Sequence, residues 1–425
     1  MKYNKIKKKF IYFFKKNNHK ILNSSRIINK DNSKLLFINS GINIFKDLFL
    51  NNKKIKYNKI ANIQKCIRIN DIKSVGIDNY HHTYFEMLGN WSIGKYSIKK
   101  AIQYSWILIT KIFKISPKYI YITIFKGDKK KLLKKDYKSY KYWKKFINKK
   151  RIFFRNIKNN FWKIDNFNLC GPCTEIYINI NKKKYKKINF NNKNLIELWN
   201  IVNIKYLVIK NKIVLNKNLL SNNYIDTGMG LERLAMILQN KKSTYDIDIF
   251  IPIIKKIEKI LKIKYNKNKK HDILIKILSD HIRSICYIMY NKIYPNNNKY
   301  GYVLRKIIRR CLIYRYKILN NKQPFLFKLV STVYKIIFKK KNQDKIILIK
   351  NKLKEEEIFY FISINKNIKL MLLYLKKNKI KYLNKDKIIY IYSTYGIYYF
   401  ILKKISLKNK IKIDKFIEVK KDIEL

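Results

Sequence analysis

Three things are scarce in this chain of 425 residues: cysteine, acidic side chains and uninterrupted apolar sequence. Five cysteines, Cys66, Cys170, Cys173, Cys286 and Cys311, are too few and too scattered for a disulfide framework, which makes a reducing, cytoplasmic setting the expected one. No run of about 18 apolar residues marks a membrane span, so a soluble protein is expected. Near the start, Ile11-Tyr12-Phe13-Phe14 forms an apolar cluster, but Lys15 and Lys16 end it short of signal-peptide length. No internal repeat is visible.

Asp and Glu together number 26 against 98 Lys and Arg, a formal charge of +72. Such an excess favours a polyanionic partner such as RNA through counterion release. Composition weakens that inference. Lys, Asn, Ile, Tyr and Phe are over-used together, and their codons are built mostly from A and T. An AT-rich reduced or organellar genome would load a surface with lysine whatever the protein did, so local charge placement says more than the total.

With 47% hydrophobic and 15% aromatic residues and long Ile-rich periodic stretches, the chain reads as packed, not disordered. Ile6, Phe10, Phe13 and Phe14 fall at helical spacing and predict an opening amphipathic helix. From about Leu35 to Trp91 short apolar runs punctuated by Gly41, Gly76 and Gly89 predict strands and turns. Asp226 to Gly230 predicts a sharp turn into a helix. Phe250, Ile253, Ile254, Ile257 and Leu261 form a helical stripe with Pro252 in its first turn, and most of the remaining chain is helical. The tracts 129–135 and 181–194 read as solvated loops. The predicted class is α+β, with a strand-rich domain over residues 1–240 and a mainly helical one over 241–425.

Asp226-Thr-Gly-Met-Gly-Leu-Glu-Arg233 is the most informative stretch. Two glycines let backbone approach a ligand, the helix offers free N–H groups to an anion, and Arg233 one turn inside can clamp a phosphate. Gly-x-Gly before a helix is also common without any ligand. Arg68 ends a strand where it can meet an α-phosphate; a surface arginine in a hairpin is the plainer reading. In a second strand running from His81 to Trp91, His81 and His82 point to opposite faces, so they do not share a metal and at least one is structural. Cys170-Gly-Pro-Cys173 has no second pair to complete a zinc site and is expected to be a tight turn that positions Thr174 and Glu175.

These pieces together resemble the alanyl-tRNA synthetases. The resemblance runs nearly collinearly from the first helix to about Ile397, through Leu35 to Gly41, Phe45-Lys-Asp47, Arg68, His81 to Asn90, Asn166 to Ile176, Trp199 to Val202, Asp226 to Arg233, Tyr245 to Asp248, Asp280 to Ser284, Gly301 to Arg305 and Tyr395-Gly396. It implies a class II antiparallel sheet flanked by helices and a helical tRNA-recognition domain. Arg68 and Arg233 resemble the family's catalytic arginines on the α- and γ-phosphates of ATP. Met87, Trp162, Asn200, Val202, Asp226 and Gly228 match positions that enclose alanine, with Gly230 beside the nucleotide. Asp226 would pair with the ammonium, while Val202 and Trp162 leave room for little more than a methyl group. Trp91 can stack on adenine or sit in the core, and Glu197 can approach the Mg2+ that accompanies ATP or remain solvated. No zinc is expected.

On the RNA side, Arg305 with Arg309 and Lys306 with Arg310 are like charges four apart beside the stripe Leu304, Ile308, Leu312. An anionic partner would relieve their repulsion; a solvated basic face is the alternative. The family reads a G·U pair with an asparagine resembling Asn297 and an aspartate whose place is taken here by Ser393, so weaker selectivity for that pair is expected. The loop Ile69-Asn-Asp71 is shorter than the family's, and the turn before Cys170 lacks its glycine. With the chain ending at Leu425, an editing domain and an oligomerisation module are expected to be missing, giving a monomer that misacylates with serine or glycine. The expected partners are alanine, ATP and tRNA(Ala). Two rivals remain: an RNA-binding remnant without catalysis, and a paralogue making aminoacyl-adenylate for another acceptor.

Overall fold

The computed structural model describes residues 1–28, 36–44, 57–164, 168–182, 188–209, 212–215, 224–338 and 342–415. Phe45-Lys-Asp47 of the resemblance lies outside them, as do Leu35 and residues 165–167. The chain divides into two compact units, residues 1–72 with 78–251 and residues 73–77 with 252–425.

The first unit opens with helix α1 (Tyr3–Lys16), which buries Ile6, Phe10, Phe13 and Phe14 on the stripe that their spacing marks. The strands β1 (Lys20–Ile21), β2 (Lys59–Ile67), β3 (Tyr84–Ile93), β4 (Ile120–Phe125), β5 (Ile152–Arg155), β6 (Phe161–Ile164), β7 (Leu169–Asn179), β8 (Leu195–Ile204), β9 (Tyr206–Ile209), β10 (Lys212–Leu215) and β11 (Tyr224–Gly230) join in one sheet. Its main order is β1-β2-β3-β11-β8-β7-β4-β5; β6 and β9 pair with β7, and β10 with β9. The centre is antiparallel, and parallel pairing occurs at β1 with β2 and β4 with β5. Helix α2 (Ile98–Ile107), α3 (Tyr137–Trp143) and α4 (Ile157–Asn160) lie along the chain between strands, and α5 (Leu231–Leu238) follows β11 directly.

Two turns predicted from sequence are strands. Asp226 to Gly230 lies in β11, paired with β3 throughout and with β8 as far as Met229, and Gly228 serves close packing: a Cβ on it would come within 2.8 Å of Met87 Sδ. Cys170-Gly-Pro-Cys173 lies in β7, where every residue is buried and a Cβ on Gly171 would meet Asn203 O at 2.0 Å. In both places glycine marks close contact with a neighbour and not a reversal of the chain. The turn before Cys170 that lacks a glycine has Asn168 at φ 53°, a left-handed conformation that asparagine tolerates. The second strand of the hairpin starts at Tyr84, not His81. The first unit continues past Lys241 to Ile251, and the Asn79 carbonyl accepts from Thr244 N at 2.9 Å within it.

The second unit is mainly helical: α6 (Ile251–Leu261, its first residue still in the first unit), α7 (Lys269–Tyr290), α8 (Lys299–Leu319), α9 (Val330–Ile337), α10 (Gln343–Lys377), α11 (Lys385–Tyr395) and α12 (Tyr399–Lys408), with short parallel strands β12 (Tyr382–Leu383) and β13 (Lys412–Ile413). Ile253, Ile254 and Ile257 of α6 are buried, as their spacing requires, with Pro252 in the first turn. By length and composition α10 could cross a membrane, an exception to the absence read from sequence; Ile349, Leu353, Glu357 and Tyr360 on it are buried within the unit.

Candidate active site

Strand alternation puts Phe85, Met87, Gly89 and Trp91 on one face of β3. On β11 the same face carries Asp226, Gly228 and Gly230, because Asp226 pairs with Trp91, Gly228 with Gly89 and Gly230 with Met87. On β8, Asn200 lies opposite Gly228 and Val202 opposite Asp226. Three neighbouring strands thus set these side chains over one patch of sheet. Above it is a cleft lined by Arg68, Met87, Trp162, Glu197, Asn200, Val202, Asp226, Gly228, Gly230 and Arg233, all named from sequence, and also by Ser40, Gly41, Asp71, Tyr80, Phe85 and Glu232.

The two arginines are held alike. The Arg68 guanidinium lies 5.1 Å from the centre of the Phe85 ring, donates through Nη2 to Asn39 O at 3.1 Å, and has Asp71 Oδ2 at 3.8 Å. Arg233 lies 5.0 Å from the Tyr80 ring, donates through Nη1 to Glu197 O at 2.8 Å, and has Glu197 Oε2 at 3.6 Å. An aromatic face and one carbonyl fix each fork while the remaining N–H groups stay available.

Asp226 differs from every other acid in the cleft. It is 7% exposed and accepts one side-chain hydrogen bond, from Trp91 Nε1 at 2.7 Å. Burial pushes its carboxyl up to about 7 against that single donor. Trp91 corrects the expectation of adenine stacking. Its indole is fully buried and lies against Gly89 and Gly41; a Cβ on Gly89 would fall 2.0 Å from Cη2, and one on Gly41 2.4 Å from Cζ2. The ring packs with Ile42, Ile60, Cys173 and Val202 in one buried cluster. It is unavailable for stacking on a base, whereas Phe85 and Tyr80 are among the rings that line the cleft. Phe85 shares the period of Met87 on β3, a signal that the sequence held.

His82 Nε2 bonds Thr244 Oγ1 at 2.8 Å and its ring stacks on Phe250, while His81 Nδ1 pairs with Asp78. The thiols of Cys170 and Cys173 are buried and pushed up by burial, so both stay protonated. Among the described residues no three His, Cys, Asp or Glu side chains converge as a metal cage. Glu197, like Asp71, is a half-buried carboxylate in the cleft wall.

The family model for the class II (A) tRNA synthetases matches residues 5–422. The chain belongs to that family. Among relatives of this class II synthetase, the alanine–tRNA ligase of Cytophaga hutchinsonii is 43% identical over 339 residues, 77% of this chain and 38% of that one. Those of Christiangramia forsetii and Bacteroides fragilis are each 37% identical, over 93% and 85% of this chain and 47% and 43% of theirs. The chain therefore spans less than half the length of the curated relatives it matches.

The second unit of this synthetase disposes of its arginines differently. Leu304, Ile308 and Leu312 of α8 are buried as predicted. Arg310 is buried too, a correction to its expected place on an RNA-facing surface: Nη1 bonds His281 Nε2 at 2.9 Å and Nη2 donates to Val75 O at 3.3 Å. The helix is buried nearly all round here, so spacing by four does not identify an outer face. Arg305 Nε and Arg309 Nε share Glu356 Oε1 at 3.0 and 3.7 Å, so the counter-charge that their spacing calls for is supplied by the chain itself. Arg305 also bonds the exposed Asn297 through Oδ1. Ser393 is exposed on α11 and donates from Oγ to Tyr390 O at 3.0 Å.

Proposed function

We propose that this chain activates L-alanine with ATP to alanyl-adenylate and transfers the alanyl group to the 3′ end of tRNA(Ala). The observation that carries the proposal is the convergence of Arg68, Arg233 and Asp226 on one cleft, in a chain whose curated relatives are alanine–tRNA ligases. A buried carboxylate with one donor is costly to ionise, and the ammonium of an amino acid is the ligand that would relieve that cost. Val202 and Trp162 beside it, with Met87 pressed on Gly228, leave space for a short side chain.

The alanine carboxylate would attack the α-phosphorus while Arg68 neutralises the charge building there, and pyrophosphate would leave toward Arg233. Positioning and charge stabilisation supply the catalysis, with no covalent enzyme intermediate. Tyr80 and Phe85 take over from Trp91 as the rings next to the base. Glu197 is the residue that would hold Mg2+ together with the phosphates, and the ion would add positive charge to the leaving group. Ser393 retains lone pairs able to accept from a guanine amine, without the charge of an aspartate. Alanine-dependent ATP–pyrophosphate exchange, then charging of transcript tRNA(Ala), tests the proposal. Exchange without charging would favour the adenylate-forming paralogue; tight tRNA binding with no exchange would establish the non-catalytic remnant instead.

A further inference from the structure

Glu175, in the middle of β7, has no task in the chemistry above, yet it is bonded directly to a residue that lines the cleft. Oε2 accepts from Thr123 Oγ1 at 2.9 Å and from the Tyr177 hydroxyl at 3.1 Å. Thr123 is itself fixed by Asn160 Nδ2 at 2.9 Å. Oε1 accepts from Asn200 Nδ2 at 3.2 Å, and the same nitrogen has Cys173 Sγ at 3.6 Å. Asn200 Oδ1 is buried with no hydrogen-bond partner, on a side chain in the cleft wall, two residue pairs along the β8–β11 ladder from Asp226 and so on the same face. A side-chain amide can be turned end for end, and its neighbours decide which end is free. A carboxylate can only accept, so Glu175 selects the NH2 end and leaves the oxygen unused.

We propose that Glu175 is a positioning residue for the amino acid: as a carboxylate it holds the Asn200 amide nitrogen and thereby keeps Oδ1 as a second acceptor, beside Asp226, for the substrate ammonium. This rests on the alanine-activation reading above. The groups acting on Glu175 are Glu197 on β8, Tyr177 on its own strand and Arg155 on β5; burial and Glu197 push its carboxyl up to about 7, while the hydroxyl donors and Arg155 oppose them. Once protonated, Glu175 can donate to Asn200 Oδ1, which turns the amide over and points two N–H groups at a cation. Alanine binding should therefore weaken as the pH falls through about 7.

The test is alanine-dependent ATP–pyrophosphate exchange with the 425-residue chain. Glu175→Leu removes the acceptor at similar volume and is expected to raise the alanine KM about 10- to 100-fold, the span of a hydrogen bond to a charged group, with the ATP KM unchanged. Glu175→Gln, which still offers an acceptor oxygen, should restore most of the loss. Asn200→Ala should raise the alanine KM by a similar factor, and adding Glu175→Leu to it should cost nothing more. Additive effects, or equal changes in both KM values, overturn the proposal. Should the leucine variant not fold, the pH profiles decide: the wild-type alanine KM is expected to climb below about 7 with two protons, from Asp226 and Glu175, and in Glu175→Gln with one. Identical profiles overturn the proposal. A wild-type chain without alanine-dependent exchange fails at the earlier step and takes down the functional reading itself.

Discussion

Asp226 in the first unit and Glu357 in the second are both buried carboxylates pushed up to about 7 by loss of water, and the chain treats them in opposite ways. Glu357 Oε1 accepts from Phe325 N and Leu326 N at 2.9 and 3.0 Å, and Oε2 from Phe327 N at 3.3 Å. Asp226 accepts from a single indole and opens onto a cleft. A displaced pKa alone therefore does not mark a ligand site. Acceptor capacity left unused at a cavity wall does. The arginines divide likewise: Arg68 and Arg233 each spend one N–H group on a carbonyl, whereas Arg310 spends both ends inward.

The sharpest way to break this division is Arg68→Ala. Pyrophosphate exchange should drop by on the order of 10³ in kcat, read in the same assay. A residual rate above one tenth would mean that the fork on Phe85 does not face reacting phosphate. Arg310→Ala should instead remove about 3 kcal/mol of stability in urea denaturation by deleting a buried guanidinium and its bonds to His281 and the Val75 carbonyl, while Arg309→Ala costs under about 1 kcal/mol. A reversed ranking would contradict the inward and outward placement.

Asp226→Asn should raise the alanine KM about 100-fold, through loss of a charge-assisted pair, without lowering Tm. Glu357→Leu should leave that KM alone and cost about 2 kcal/mol by stranding backbone donors. The pH dependence of stability gives a further test. Asp226 titrates near 7 folded against an ordinary 3.8, so its favourable contribution is complete below about 4 and is lost as the pH rises through 7. Wild-type stability should thus fall across that interval more than that of Asp226→Asn; parallel curves would show that Asp226 is solvated.

Much of this was legible where the signal is local. The stripe of α1 and the start of α6 follow from spacing, and the cleft residues follow from motifs kept in family order. The misreadings share a cause. Gly228 and Gly171 look like turn glycines because sequence shows flexibility and hides the neighbour that demands a missing Cβ. Trp91 looks available because Gly41 and Gly89, which leave room for its ring, lie on separate segments. Arg310 looks exposed because nothing local reveals that α8 is enclosed. Tyr80 and Asp71 carry no signal of their own as cleft residues, since each stands beside a guanidinium and not in a motif of its own.

The pairing of β11 on both sides has a last consequence. Six of its seven residues, Tyr224 to Met229, are paired twice, once against β3 and once against β8, so the strand acts as a ruler for the whole pocket. Moving it by a single position would swap faces and offer Ile225 and Thr227 where Asp226 and Gly228 now stand. A point change in 224–230 alters one position of the pocket, whereas one inserted or deleted codon there would displace every position at once.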